Sequence, residues 1–412
     1  MSALKGREIA VVGLGYVGLP TALSLADHGA RIIGYDVSED RLSTIKNGLV
    51  DISAHDRLRL ARHLRRDALT MTTEPSLLAG ADAMVVCVPT PIDAHQSPDL
   101  RALRAACVDV VEHARAGQVI VLTSTTYVGC TRELVAGPLE QRGFEIGKDV
   151  FVAFSPERID PGVEAHAPDR TPRVLGGVTA ACAAQASILL AHTASALHTV
   201  SSAEAAEMVK LVENTFRAVN IALANEFSDA ALELGVDVVE VIDAAATKPY
   251  GFMAFYPGPG VGGHCIPCDP HYLLWQLRAK HFDAPVSRAA MTAISLRPRT
   301  IVDRVREMLA EKGCRTHWAR ILVMGVAYKP GVADVRESPA IEIIQELEAA
   351  GATVEYHDPW VEYLDTRNRR LRSQQIPAAG KWDLVLLHTR HTGVDLDWMS
   401  KHLVLDATYR RP

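Results

Sequence analysis

Cys265 and Asp269 lie four residues apart in Gly258-Pro-Gly-Val-Gly-Gly-His-Cys-Ile-Pro-Cys-Asp-Pro270. A thiolate attacks a carbonyl carbon far better than a hydroxyl does, so Cys265 is the candidate nucleophile and Asp269 the candidate base for water. Gly258, Gly260, Gly262 and Gly263 permit close approach of a ligand to the backbone, while Pro259, Pro267 and Pro270 stiffen the loop. Other chemistries compete for the same residues. His264, Cys265, Cys268 and His271 are potential metal ligands, Cys265-Ile-Pro-Cys268 has redox-motif spacing, and a buried cysteine can simply be inert. A structural zinc usually pairs two such knuckles, and the sequence holds no second one, so no metal is expected. A thioredoxin-like motif follows a strand and opens a helix, which the prolines and glycines here argue against.

Lys210 and Asn214 are the next residues suited to chemistry. They lie four apart, hence on one face, in a stretch from Ala203 to Leu234 that has no glycine or proline. A desolvated ammonium is costly, which favours a chemical role for Lys210 over a pairing with Glu207 or Glu213. A helix this long and apolar is expected to run between domains or through a subunit interface. Ser155-Pro-Glu157-Arg158 follows a strand-like run, and Glu157 reads as a general acid or base, or as the first-turn acid of a helix.

These groups need a scaffold. Ile9-Ala-Val-Val-Gly13-Leu-Gly15-Tyr-Val-Gly18 is a strand, a G-x-G-x-x-G turn and a helix start, the context in which bare backbone receives a pyrophosphate. Gly13, Leu14, Gly15, Tyr16, Val17 and Gly18 are therefore expected at a dinucleotide. Asp36 closes the second strand, where a carboxylate accepts ribose hydroxyls and favours NAD over NADP; Arg41 either softens that preference or is solvated. Strand ends at Pro89-Thr90 and at Thr123-Ser124-Thr125-Thr126 carry hydroxyls where an open parallel sheet binds ligands. A second α/β unit runs from Arg320, with Gly351-Ala-Thr-Val-Glu-Tyr-His-Asp358 laid out like Gly29 to Asp36. It lacks the full glycine fingerprint, and Lys329 and Arg336 are placed to meet phosphate or carboxylate charge.

With 412 residues, 48% hydrophobic and 22% charged, the chain suits two to three soluble domains. A net charge of −6 disfavours nucleic-acid binding, and no apolar run is long enough to span a membrane. Seven scattered cysteines suit a reducing cytoplasm. The expected architecture is α/β: two Rossmann-like, doubly wound parallel-sheet domains (1–200 and 311–412) joined by a central helical domain (201–310) with one long helix, in at least a homodimer.

Together, Val12-Gly-Leu-Gly-Tyr-Val-Gly-Leu-Pro20, Ser155-Pro-Glu-Arg158, Lys210-x-x-x-Asn214, Gly258-Pro-Gly-Val-Gly-Gly-His-Cys-Ile-Pro267 and Tyr328-Lys-Pro-Gly331 resemble the nucleotide-sugar 6-dehydrogenase family along essentially the whole chain. Pro161 and Thr247-Lys-Pro249 resemble its branch acting on UDP-N-acetylhexosamines, UDP-N-acetylglucosamine foremost; the UDP-glucose branch has a second glutamate where this chain has Pro161. The resemblance implies oxidation of the sugar C6 alcohol to a carboxylate for surface polysaccharide, with two NAD reduced. It assigns Cys265 to a thiohemiacetal and thioester, Lys210 or a water near it to the alcohol proton, Lys210 and Asn214 to the oxyanion, and Asp269, Thr125 and Glu157 to the hydrolytic water. Gly13 to Gly18, Asp36, Arg41, Pro89, Thr90, Ser124, Thr125 and Arg336 are implied at NAD. Glu157, Arg158, Lys210, Asn214, Tyr256, Gly258, Gly260, Gly262, Tyr328 and Lys329 are implied at the UDP-sugar. Two features depart from the family: Cys268, a neighbour able to oxidise with Cys265, and the ending Leu405-Asp-Ala-Thr-Tyr409. Outside this reading stand a single-hydride β-hydroxyacid-type dehydrogenase, which leaves 315–412 unexplained, and a non-catalytic nucleotide-sugar or redox sensor.

Overall fold

The structure, a computed structural model, describes residues 4–409 apart from 51, 53, 94, 159–169, 264 and 376. The chain forms two compact units, Met1–Glu213 with His271–Lys280, and Asn214–Pro270 with His281–Pro412.

The first unit is built on short apolar strands buried on both faces. In chain order it contains β1 (Glu8–Val12), α1 (Gly18–Asp27), β2 (Arg31–Tyr35), α2 (Glu39–Lys46), α3 (Ala54–Arg65), β3 (Leu69–Thr72), β4 (Ala83–Val86) and α4 (Arg101–His113). There follow β5 (Val119–Leu122), α5 (Gly137–Gln141), β6 (Phe151–Phe154), β7 (Arg173–Gly177), α6 (Ala180–Leu190) and β8 (Leu197–Val200). The strand order is β3-β2-β1-β4-β5-β6-β7-β8. Alternation of side chains puts Ala10, Val12, Met84, Val86, Ile120 and Leu122 in the core on one face, and Ile9, Val11, Ala83, Val85, Val119 and Val121 in the core on the other. Such continuous apolar runs are the signature of parallel strands covered by helices, and they bear out the expected α/β class. One difference is local: β6 and β7 pair antiparallel. Neither β7 nor β8 was expected from the sequence, because Arg173 and a two-glycine run interrupt the first and exposed His198 and Thr199 the second.

The long helix α7 (Ala203–Glu233) bridges the boundary of the units in sequence and stops short of Gly235, whose φ is +69°. A new helix, α8 (Val238–Ala246), starts at the Asp237 cap. The second unit holds α8, the start of α9 (Asp269–Ala279) and α10 (Pro285–Glu311). It continues with β9 (Arg320–Met324), α11 (Pro339–Ala349), β10 (Thr353–His357), the hairpin β11 (Tyr363–Asp365) and β12 (Arg370–Arg372), then β13 (Leu384–Leu387) and β14 (Val404–Asp406). Its main sheet has the order β10-β9-β13-β14, all parallel. Ser338 caps α11 and Pro339 takes its first position, where a missing N–H costs nothing.

Candidate active site

The turn from β1 to α1 is shaped first by the chain's own packing. A Cβ on Gly18 would lie 1.8 Å from the carbonyl oxygen of Gly13, so no larger residue fits. A Cβ on Gly15 would meet nothing within 4 Å, and Val17 contributes no side-chain cap to α1. The helix N-terminus therefore opens onto clear space beside bare backbone, a cradle suited to pyrophosphate. Asp36 accepts the N–H of Leu14 at 2.8 Å and that of Ser38 at 3.0 Å, while Arg41 donates through Nε to the Leu14 carbonyl at 2.9 Å. Arg41 is thus a strut under the glycine turn rather than a solvated helix arginine. Tyr16 and Pro89 are exposed and Thr90 and Thr125 half-buried at the same strand ends. Ser124 donates its hydroxyl to the Val88 carbonyl at 2.8 Å and Thr123 to that of Val86 at 2.7 Å, so this hydroxyl run also ties the end of β5 to the end of β4. Glycine turn, open helix end and strand-end carboxylate together fit NAD.

In the same unit Lys210 is buried and donates its Nζ to the backbone carbonyl of Glu157 at 2.7 Å. Its acidic helix neighbours are engaged elsewhere. Glu207 accepts from the Gly129 N–H, the Thr131 N–H and the Thr131 hydroxyl, and burial pushes its carboxyl above the usual range. Glu213 pairs with Arg158, which also holds the Pro172 carbonyl at 3.0 Å. Glu157 itself accepts the Arg158 N–H at 2.9 Å and lies 3.3 Å from the guanidinium of Arg173. No helix covers 155–158, so Glu157 is not held as a first-turn acid within the described residues. Arg173, 3% exposed, was missed by sequence reasoning; its only signal is a cation opening an otherwise apolar strand. Residues 159–169, including Pro161, lie outside the described residues.

In the second unit Cys265 is exposed, and its carbonyl oxygen accepts from the N–H of Cys268 at 3.2 Å and of Asp269 at 2.8 Å. The cysteine pair therefore does open a helix, α9, contrary to expectation, because Pro270 falls in the first turn, where proline is tolerated. No strand precedes it between 247 and 263, so the thioredoxin-like context is still incomplete. Asp269 is buried and takes a hydrogen bond from the side-chain amide of Asn214. The glycines before Cys265 answer to protein contacts as well as to any ligand. A Cβ on Gly262 would sit 2.5 Å from that of Tyr328, and Gly260, at φ +149°, would press on Pro339. Gly263 donates its N–H to the Arg336 carbonyl at 3.1 Å. Arg336 grips both oxygens of Asp334, Lys329 is half-buried, and Tyr256 donates its hydroxyl to Asp243 at 2.7 Å. Among the described residues no group of three or more His, Cys, Asp or Glu is placed to hold a metal; His264 lies outside them.

The second sheet repeats one device of the first. Asp358 at the end of β10 accepts the N–H of Val326 at 2.8 Å, as Asp36 accepts that of Leu14; each N–H belongs to the residue after a glycine closing the preceding strand of the sheet. His391 donates to the same Asp358 at 3.0 Å and accepts the Gly331 N–H at 3.1 Å, which ties Asp358 to the Tyr328–Gly331 loop.

Comparison with known proteins covers nearly the whole chain. The UDP-glucose/GDP-mannose dehydrogenase family profiles match in three parts: the NAD binding domain at 7–194, the central domain at 204–293 and the UDP binding domain at 322–410. NDP-N-acetyl-D-galactosaminuronic acid dehydrogenase of Ralstonia solanacearum is 35% identical over 414 residues, spanning 97% of this chain and 95% of its own. UDP-N-acetyl-D-glucosamine 6-dehydrogenase of Pseudomonas aeruginosa is 31% identical over 392 residues, spanning 94% and 92%. The solved UDP-D-ManNAc dehydrogenase of Pyrococcus horikoshii superposes with a TM-score of 0.88 at 32% identity, covering 97% of this chain and 95% of that one.

Proposed function

The chain belongs to the UDP-glucose/GDP-mannose dehydrogenase family, NAD-binding nucleotide-sugar oxidoreductases, and from that premise we propose that it oxidises the C6 hydroxyl of a UDP-N-acetylhexosamine to the carboxylate. UDP-N-acetylglucosamine is the first candidate substrate. NAD, once bound, would supply the hydride acceptor, and two molecules of it would be reduced per turnover, one for each oxidation step. Lys210 manages the proton of the C6 alcohol, and the thiol of Cys265 adds to the resulting aldehyde to give a thiohemiacetal. Its oxyanion is stabilised by Lys210 and Asn214. Loss of the second hydride leaves a thioester on Cys265. Water, activated by Asp269 with Glu157 and Thr125 in supporting roles, releases the acid and restores the thiol. The covalent step keeps a reactive aldehyde bound while the cofactor is exchanged.

The observation that carries this reading is the Asn214–Asp269 hydrogen bond joined, through the first turn of α9, to an exposed Cys265. A base beside a nucleophile, and oriented by a third group, is the arrangement a thioester hydrolase needs. Tyr328 and Lys329 are assigned to the UDP moiety, with Tyr256, Gly258, Gly260 and Gly262 at the sugar and Arg158 beside them; Arg336 is assigned to NAD. The experiment is to offer UDP-N-acetylglucosamine, UDP-N-acetylmannosamine, UDP-N-acetylgalactosamine and UDP-glucose with NAD and compare turnover. Highest turnover on UDP-glucose would refute the N-acetylhexosamine assignment. The homologue names leave the epimer open, because one hydroxyl's orientation is read by few pocket contacts.

A second copy of the chain is assigned to α7, where Met208, Val212, Phe216, Leu223 and Phe227 form an exposed apolar stripe at helical spacing. A cytoplasmic site of action in polysaccharide synthesis goes with this reading. No described helix is long and apolar enough to cross a membrane.

A further inference from the structure

Arg297 lies in the interior of α10, is 2% exposed, and has every nitrogen of its guanidinium engaged. Its Nε donates to the Gly258 carbonyl at 2.9 Å, Nη1 to Asp229 at 2.7 Å and Nη2 to the Tyr409 hydroxyl at 3.1 Å. Arg304, two helical turns on, donates to the same Asp229 oxygen at 2.5 Å and to the same Tyr409 hydroxyl. Two guanidiniums on one carboxylate leave positive charge in surplus. A phenol suits that surplus, since its oxygen accepts twice and its ring lies 5.9 and 5.8 Å from the two guanidinium carbons. On α7, one turn before Asp229, Asn225 accepts the Gly258 N–H at 2.9 Å. Both backbone groups of Gly258 are therefore held, and Gly258 is the root of the segment that ends in Cys265.

We propose that Tyr409, acting through Arg297, is a positioning residue for the cysteine loop, so that the end of the described chain sets the placement of the thiol. Leu405-Asp-Ala-Thr-Tyr409, which the UDP binding domain match at 322–410 spans, thereby has a task in this protein. The proposal rests on Cys265 being the nucleophile.

Tyr409→Phe in the full chain keeps the ring and removes the doubly accepting oxygen; Arg297→Lys keeps charge but cannot hold Gly258, Asp229 and Tyr409 together. Initial rates, the rate of iodoacetamide alkylation at Cys265 read by peptide mass spectrometry, and Tm are measured on both. The expected result for Tyr409→Phe is a kcat lower by roughly tenfold, the scale of one hydrogen bond to a charged group, with KM for NAD unchanged and alkylation of Cys265 altered by a similar factor. Arg297→Lys loses more. A Tyr409→Phe protein with wild-type kcat and wild-type alkylation overturns the proposal, whether or not Tm falls. Alkylation reads the loop without turnover, so failure of the thioester mechanism, seen as full activity in Cys265→Ser, is a separate outcome.

Discussion

Lys210 donates its ammonium to the main-chain oxygen of Glu157 at 2.7 Å, although two glutamates, Glu207 and Glu213, lie within a turn of it on α7. Each glutamate is committed to another partner, so the lysine charge is not cancelled by a carboxylate on its own helix. In the proposed mechanism this cation meets the charge that develops on the substrate oxygen. Lys210→Met should lower kcat by about 10²–10³-fold with NAD binding retained, the scale of a lost oxyanion donor. Steady-state rates and NAD titration of the variant check this. Wild-type kcat would move the proton to another group.

Asp269 takes its orientation from Asn214 and from the first turn of α9. In the proposed mechanism it is the base for water and so acts only after the thioester has formed. Asp269→Asn should therefore reduce NAD in a first burst and then stall, with intact-protein mass spectrometry finding the acyl group on Cys265. A stalled enzyme with no adduct would place the defect before the covalent step.

His388 has the clearest pH signature. Burial pushes its imidazole down to about 4, and its Nε2 has no hydrogen-bond partner. The unfolded chain takes up a proton near pH 6.5 while the native state resists it until about pH 4, so stability is complete above the first value and is lost as pH falls towards the second. One such proton changes stability by about 1.4 kcal/mol per pH unit at most. Thermal melts from pH 7 to 4.5 should fall less steeply for His388→Leu than for wild type. Parallel curves would assign the acid sensitivity to other groups, such as His271, which burial also shifts down.

The α7 stripe gives a prediction on assembly. Val212 and Phe227 are each 50% exposed, and a double change to glutamate leaves the helix propensity intact while charging the apolar face. Sedimentation should find wild type as a dimer or larger and the double variant as a monomer; a monomeric wild type would remove the second copy from the account.

The sequence made legible whatever local chemistry dictates. The strand, glycine turn and helix around Gly13–Gly18, the repeat ending in Asp358 and the helix bearing Lys210 and Asn214 all follow from short-range patterns, and the structure contains each of them. Contacts made at long range left no such trace. Arg173 beside Glu157, Asn225 under Gly258, and Asp229 with Arg297 and Tyr409 come from separate segments of the chain, and Arg173, Asn225, Asp229 and Arg297 each read alone as ordinary polar residues. The glycines of the cysteine loop suit close approach of a ligand, yet Gly262 is also demanded by Tyr328. Proline and glycine density also hid the start of α9, because proline in a first turn is compatible with a helix.

Whether the aldehyde is carried forward on sulfur is measured directly by NADH formed per UDP-N-acetylhexosamine consumed, wild type beside Cys265→Ser. Two equivalents for wild type, with no net acid from Cys265→Ser while NAD and UDP-sugar still bind, is the predicted result. One equivalent from wild type, or undiminished acid formation by Cys265→Ser, would contradict it.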